Sequence, residues 1–160
     1  MYKENPSRPP HTTPLPTREG LGGGSLFHHI IPLQIRFNDV DKFGHVNNSV
    51  FFQFYDTAKT EYFATACKNV DWEQVAIVVA HIESDFLAQV KAGDHIAGRT
   101  RVTHIGHKSF HLEQELFDVD TEEVKSRCTS VMVLYDLNKR QTVPLPDNWV
   151  NDIRAYDNLP

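Results

Sequence analysis

The strongest periodicity in the chain runs from Ser49 to Ala66. There Phe51, Phe54, Tyr55, Ala58 and Tyr62 recur at the spacing of one helical face, with Asp56, Lys59 and Glu61 off the stripe. The pattern predicts one long helix. Asn47 or Asn48 stands where an asparagine side chain can accept a bond from an otherwise orphan N–H of the first turn. Upstream, the isoleucine-rich run His29 to Phe37 reads as a strand, with Pro32 tolerable near its edge. Beyond Glu73 the pattern turns strand-like. Val75 to Val90 is rich in β-branched residues, Lys91-Ala92-Gly93-Asp94 reads as a turn, and His95 to Ile105 follows. After a turn at Gly106, Phe110, Leu112 and Leu116 alternate with His111, Glu113 and Glu115, a period of two with one buried and one wet face. Val124 to Leu137 reads as the last long strand, and Asp147 to Tyr156 as a short helix.

One strand, one apolar helix and four strands joined by short turns predict an α+β domain whose sheet is largely antiparallel, because parallel crossovers need longer connections. The helix must lie against that sheet. Such a sheet leaves edges that pairing between copies would satisfy, so a homodimer or homotetramer is expected.

A length of 160 residues with 40% hydrophobic content fits one core. Residues 1–25 are dominated by proline, threonine and glycine and end on Gly20-Leu21-Gly22-Gly23-Gly24-Ser25, a composition that predicts a disordered tail ahead of a single domain over residues 26–160. A net charge of −5 without long runs of one sign gives no footprint for nucleic acid or an anionic membrane surface. The start carries prolines rather than an apolar signal segment, and no apolar run reaches membrane-spanning length, so a cytoplasmic address is expected. Cys67 and Cys128 lack ligand spacing and read as reduced core thiols.

The chemistry concentrates between the first strand and the helix, in Arg36-Phe37-Asn38-Asp39-Val40-Asp41-Lys42-Phe43-Gly44-His45-Val46-Asn47-Asn48. A helix N-terminus presents unpaired N–H groups and the positive end of the helix dipole, which can polarise a carbonyl oxygen. The amides around Asn48 and Ser49 are placed for this, and a carboxylate just upstream can attack the carbonyl or activate a water. Taken alone, Asp39 and Asp41 are equally compatible with turn and cap chemistry. A cation site is disfavoured, because the further oxygen ligands and closing glutamate of an EF-hand are absent. No metal or other cofactor is implied.

The run Phe37 to Asn48 resembles the motif of the 4-hydroxybenzoyl-CoA thioesterase-like branch of the hotdog-fold superfamily: an aromatic, any residue, Asp-x-Asp, two residues, then Gly-His-Val-Asn-Asn. The similarity extends from about Ile30 to Tyr135, and Phe52, Tyr55 and Asp56 look like that family's aromatic helix. The resemblance implies a hotdog fold, an antiparallel sheet wrapped around one long central helix, in agreement with the element order. By motif position it implies Asp41 as the catalytic carboxylate and a polarising amide near Asn48, while His45, inside the motif, reads equally as a group that positions substrate or water and as one that holds the loop. Gly44, Val46, Asn47 and Tyr55 are implied to meet substrate, and family members act as dimers or tetramers with sites at subunit interfaces. Two departures stand out. Phe86-Leu87-Ala88-Gln89 replaces a stretch that often ends in proline, and a frequent helix arginine falls on Lys59 or Thr60; neither is expected to touch the reacting centre.

In Gly106-His107-Lys108-Ser109-Phe110, Lys108 and Ser109 resemble a segment that meets the CoA phosphates, against the plainer reading of a solvated turn. Lys91, Arg99 and Arg101 are further candidates for phosphate. His104, His107 and His111 lack ligand spacing and read as surface histidines, while His81, in an apolar strand, reads as a hydrogen-bonded core residue. The function expected is hydrolysis of an acyl-CoA or aroyl-CoA thioester. The rivals are a hotdog enoyl or hydroxyacyl thioester hydratase or dehydratase, and a non-catalytic acyl-CoA-binding module.

Overall fold

Isoleucines 30 and 31 belong to a short strand, β1 (His29–Leu33), that stops sooner than the pattern suggested. The chain turns at Phe37–Asp39, a single turn of 3-10 helix, because the Asp39 carboxylate accepts the Arg36 backbone N–H at 2.7 Å and closes the turn. Helix α1 (Asn48–Ala66) follows, capped by Asn47, whose side-chain oxygen accepts the Ser49 N–H. Then come β2 (Val75–Phe86), β3 (Ile96–Ile105), β4 (Ser109–Asp118), β5 (Val124–Asp136), the two-residue β6 (Gln141–Thr142) and α2 (Asp147–Asp157). This computed structural model describes residues 26–160; the tail expected over residues 1–25 lies outside the described residues.

Every strand pairing is antiparallel, in the order β1-β3-β4-β5-β2, with β6 beside β5. The fold is the expected hotdog arrangement, with α1 against one face of the sheet. The predicted helical stripe of Phe51, Phe54, Tyr55, Ala58 and Tyr62 is buried there. Gly98 sets how closely helix and sheet approach, since a Cβ on it would lie 3.0 Å from that of Ala58 and 3.1 Å from Leu33 Cδ1. The core has two lobes along the helix. One gathers Val46, Val50, Phe51 and Val90 near its start. The other gathers Tyr62, Phe63, Phe110, Trp149 and Ile153 near its end, where α2 closes the core.

Two burial expectations are corrected. Glu115, expected to be wet, is buried, because Arg99 and Arg127 grip its two carboxylate oxygens from the neighbouring strands. His81 is exposed, not in the core, because β2 is an edge strand and a register shift after Val79 sets His81 opposite Val131. Cys67 and Cys128 are buried free thiols, and burial pushes both up to about 12.

Candidate active site

The strand-to-helix joint is held by backbone bonds that reach across the fold. The Val46 N–H donates to Val90 O at 2.8 Å, the Asn47 N–H to Asp39 O at 2.9 Å, and His45 bridges to Lys91. These stitches place the loop beside residues 87–90, where the chain has left β2, and the two segments enclose a cleft of about 480 Å³. Asp41, His45, Val46, Asn47, Asn48 and Phe51 form one wall. Phe86, Leu87, Ala88, Gln89 and Val90 form the other, with the Phe86 ring edge-on to Phe51 at 5.2 Å. The Phe86–Gln89 departure therefore borders the cleft that Asp41 lines. The Leu87 and Ala88 N–H groups both turn to Lys125 O, so the chain leaves β2 and bends toward the loop.

Within that cleft the two aspartates differ. Asp41 Oδ1 accepts the N–H groups of Phe43 at 2.8 Å and His45 at 3.2 Å, while the Asp41 N–H donates to His45 O. Gly44 closes this turn at φ +81°, a left-handed conformation that suits glycine. The second oxygen of Asp41 makes no hydrogen bond among the described residues, and the side chain lines the cleft. Asp39 is 3% exposed and grips Arg36 Nε and the Arg36 backbone, and Arg36 in turn holds Gln53 on α1 at 2.8 Å. Burial alone would raise the Asp39 carboxyl, but the hydrogen bonds and charge of Arg36 more than offset this and hold it below the usual carboxylate range. Asp39 braces the loop; Asp41 faces the cleft.

The amides at the helix start differ in the same way. Those of Val46, Asn47, Ser49 and Val50 are all engaged. The Asn48 N–H has no partner among the described residues, and Asn48 lines the cleft. A free N–H at a helix N-terminus is a donor for a developing oxyanion.

Other predicted site residues lie elsewhere. Tyr55 is buried behind the cleft, its hydroxyl donating to Ser126 Oγ at 2.5 Å, and burial pushes it up to about 12. Gly44 borders a second hollow on the far side of the loop, with Arg36, Phe37 and Lys42. Lys108 and Ser109 sit at the other end of the sheet, where Ser109 begins β4 beside Phe110, which packs on Phe63 late in α1. Among the described residues Lys108 Nζ reaches only Thr142 O, at 3.5 Å. Arg99 and Arg101 are committed to Glu115 and Glu113, which leaves Lys91 as the phosphate candidate next to the cleft. The described residues hold no group of three or more His, Cys, Asp or Glu placed for a metal ion.

Residues 35–153 match the thioesterase-like superfamily. The chain belongs to that superfamily. It is 26% identical over 140 residues, 86% of its length and 70% of the relative's, to an acyl-acyl carrier protein thioesterase, ATL2, of Arabidopsis thaliana. It is 25% identical over 119 residues, 72% of its length and 86% of the relative's, to the acyl-CoA thioesterase YbgC of Haemophilus influenzae. Among solved structures, a Thermus thermophilus thioesterase complexed with coenzyme A and zinc superposes with a TM-score of 0.73 at 28% identity, covering 84% of this chain and 97% of that one. This superfamily member is accordingly a thioester hydrolase. None of its described helices is long and apolar enough to cross a membrane.

Proposed function

We propose that the protein hydrolyses acyl-CoA or aroyl-CoA thioesters to CoA and a carboxylic acid, with Asp41 as the reacting carboxylate. The observation that carries this reading is the pairing, in one cleft, of a carboxylate oxygen and a helix-start N–H that both lack partners among the described residues. With the thioester carbonyl oxygen on the Asn48 amide, Asp41 either attacks the carbonyl carbon to give a mixed anhydride or takes a proton from the attacking water. The thiolate of CoA leaves in either route. His45 lines the same cleft and its backbone bridges to Lys91, a cation that would be available to a CoA phosphate.

The test is thiol release by Asp41→Asn. Asparagine retains an oxygen for the Phe43 and His45 N–H groups, so the loop persists while the reacting oxygen is lost. Turnover should fall by about 100-fold or more; a variant as fast as wild type on every acyl-CoA refutes the assignment. Because the Arabidopsis relative is named for carrier-protein thioesters, the same acyl group on CoA and on an acyl carrier protein belong side by side in that assay.

A homodimer through β2 fits this reading better than a monomer. Among the described residues β2 pairs with β5 alone, and its helix-side residues Val79 and Ile82 remain 40% and 41% exposed. A two-fold axis across that edge runs the two β2 strands antiparallel, which sets the Val75 end of one beside the Phe86 end of the other. The partner's Lys108 and Ser109, remote from Asp41 within one chain, then approach the neighbouring cleft. Wild type should sediment as a dimer or as a tetramer built from two dimers, and Ile82→Lys, which sets a charge at that seam, should shift it toward monomer. A monomeric wild type overturns this assembly.

A further inference from the structure

Asp41 stands between two hollows of different character. The cleft already described has Phe51, Phe86, Leu87 and Val90 in its walls and no lysine or arginine in its lining. On the far side of the loop lies a larger hollow, about 700 Å³, where Ile35, Val40 and Ala92 supply apolar surface and Arg36 and Lys42 supply charge. Asp41 belongs to the lining of both, so the two meet at the reacting residue. None of the residues around the larger hollow lies on β2, the edge given to the dimer seam. Its cations are available to a ligand. The Lys42 ammonium rests 5.0 Å from the centre of the Phe43 ring and has no ion pair among the described residues. Asp39 and Gln53 engage Nε and Nη2 of Arg36, which leaves Nη1 without a partner among the described residues on a side chain that is 61% exposed. The Asn38 side chain, also in the lining, makes no hydrogen bond among the described residues either.

We propose that the larger hollow is the subsite for the phosphopantetheine arm of the substrate, with Lys42 and Arg36 Nη1 on its phosphate and the acyl group in the cleft of Phe51 and Phe86. The inference rests on the thioesterase reading of Asp41. A thioester on this arm has two unlike ends: an uncharged acyl group, and an arm that carries amides and then a phosphate. The two sides of Asp41 differ in the same sense, since both cations that line either space stand on one side, in a chain of net charge −5. A phosphate set in the acyl cleft would lose water without gaining a cation, whereas at the hollow it gains an ammonium and a guanidinium edge. The arm's dimethyl carbon suits Ile35 and Val40, and its amides suit the Asn38 side chain. Coenzyme A and acyl carrier proteins present the same arm, so the subsite serves either.

The measurement is kcat/KM of the full chain on octanoyl-phosphopantetheine and octanoyl-pantetheine, which differ only in the phosphate. Effects on the chemistry at Asp41 cancel in their ratio. Lys42→Glu should lower that ratio at least fivefold, and Lys42→Arg should keep it near wild type. The same loss of kcat/KM in Lys42→Glu is expected on octanoyl-CoA and on an octanoyl acyl carrier protein, and the faster of the two in wild type identifies the bearer. Ala92→Trp, which fills the hollow, should raise KM at least threefold for octanoyl- and butyryl-phosphopantetheine alike. A ratio that holds in Lys42→Glu, or that falls in Lys108→Glu instead, overturns the subsite. A KM in Ala92→Trp that does not rise, or that rises for octanoyl alone, also overturns it, the second result placing the acyl chain in the hollow. Each leaves the thioesterase reading intact. A wild type that cleaves none of these thioesters overturns both.

Discussion

Replacing Asp39 by asparagine separates the two carboxylates of the motif by what each would lose. Asp39 is 3% exposed and holds the guanidinium of Arg36 with both oxygens, one of which also accepts the Arg36 backbone N–H. An asparagine keeps one acceptor but turns an NH₂ toward the guanidinium, donor against donor. Loss of the charge-assisted bonds at this buried carboxyl puts the cost at about 2 kcal/mol. For a domain of this size that corresponds to a melting temperature lower by roughly 8 °C. The pH dependence has a definite sign. A carboxyl held below its unfolded value stabilises the fold above the ordinary carboxylate range and loses that contribution as pH falls through its depressed folded value. Wild type should therefore lose its advantage over Asp39→Asn on acidification, as followed by thermal melts across pH. Turnover of the folded variant should fall by no more than about tenfold, because Asp41 and the Asn48 amide remain in the cleft. An Asp39→Asn protein that melts like wild type yet is as inactive as Asp41→Asn refutes the division of roles and makes Asp39 the reacting group.

Two further perturbations test neighbouring claims. Gly44→Ala meets no atom within 4 Å of the new Cβ, so its cost is that of the left-handed backbone alone, about 1–2 kcal/mol by denaturant melt; an unchanged midpoint contradicts the strain argument. Asp157 tests the joint between α2 and the core: its Oδ2 accepts Tyr62 OH and the Val102 N–H, with His28 and Arg101 also acting on it. Burial raises its carboxyl, and those bonds offset that only in part, so its contribution is full at low pH and is lost as pH rises through the folded value. Asp157→Asn should thus melt above wild type near neutral pH and converge with it in acid, and parallel curves would refute that sign.

Much of the fold was legible because periodicity reports which face of an element is buried. The stripe on α1 and the alternation in β4 needed no tertiary information to be found. Glu115 broke the alternation because Arg99 and Arg127 lie on two other strands, so its burial depends on sheet order rather than on its neighbours in the chain. The loop wall of the cleft was legible through the motif, whereas the bracing that the Arg36–Asp39 spacing carries was not picked out from the sequence. The opposite wall was not legible, since Phe86–Val90 meets the loop only through bonds such as Val46 to Val90. Local pattern holds no trace of such a contact.

Those bonds also bear on the order of folding. The loop and α1 are early in the chain, but Val46 and His45 are secured by Val90 and Lys91, over forty residues later. Closing so long a loop costs entropy that is regained only once β2 pairs with β5, itself later still. Catalytic competence is thus a late event: during refolding, helical signal should return before thioesterase activity, and a nascent chain that ends short of β5 holds the whole motif without a working cleft.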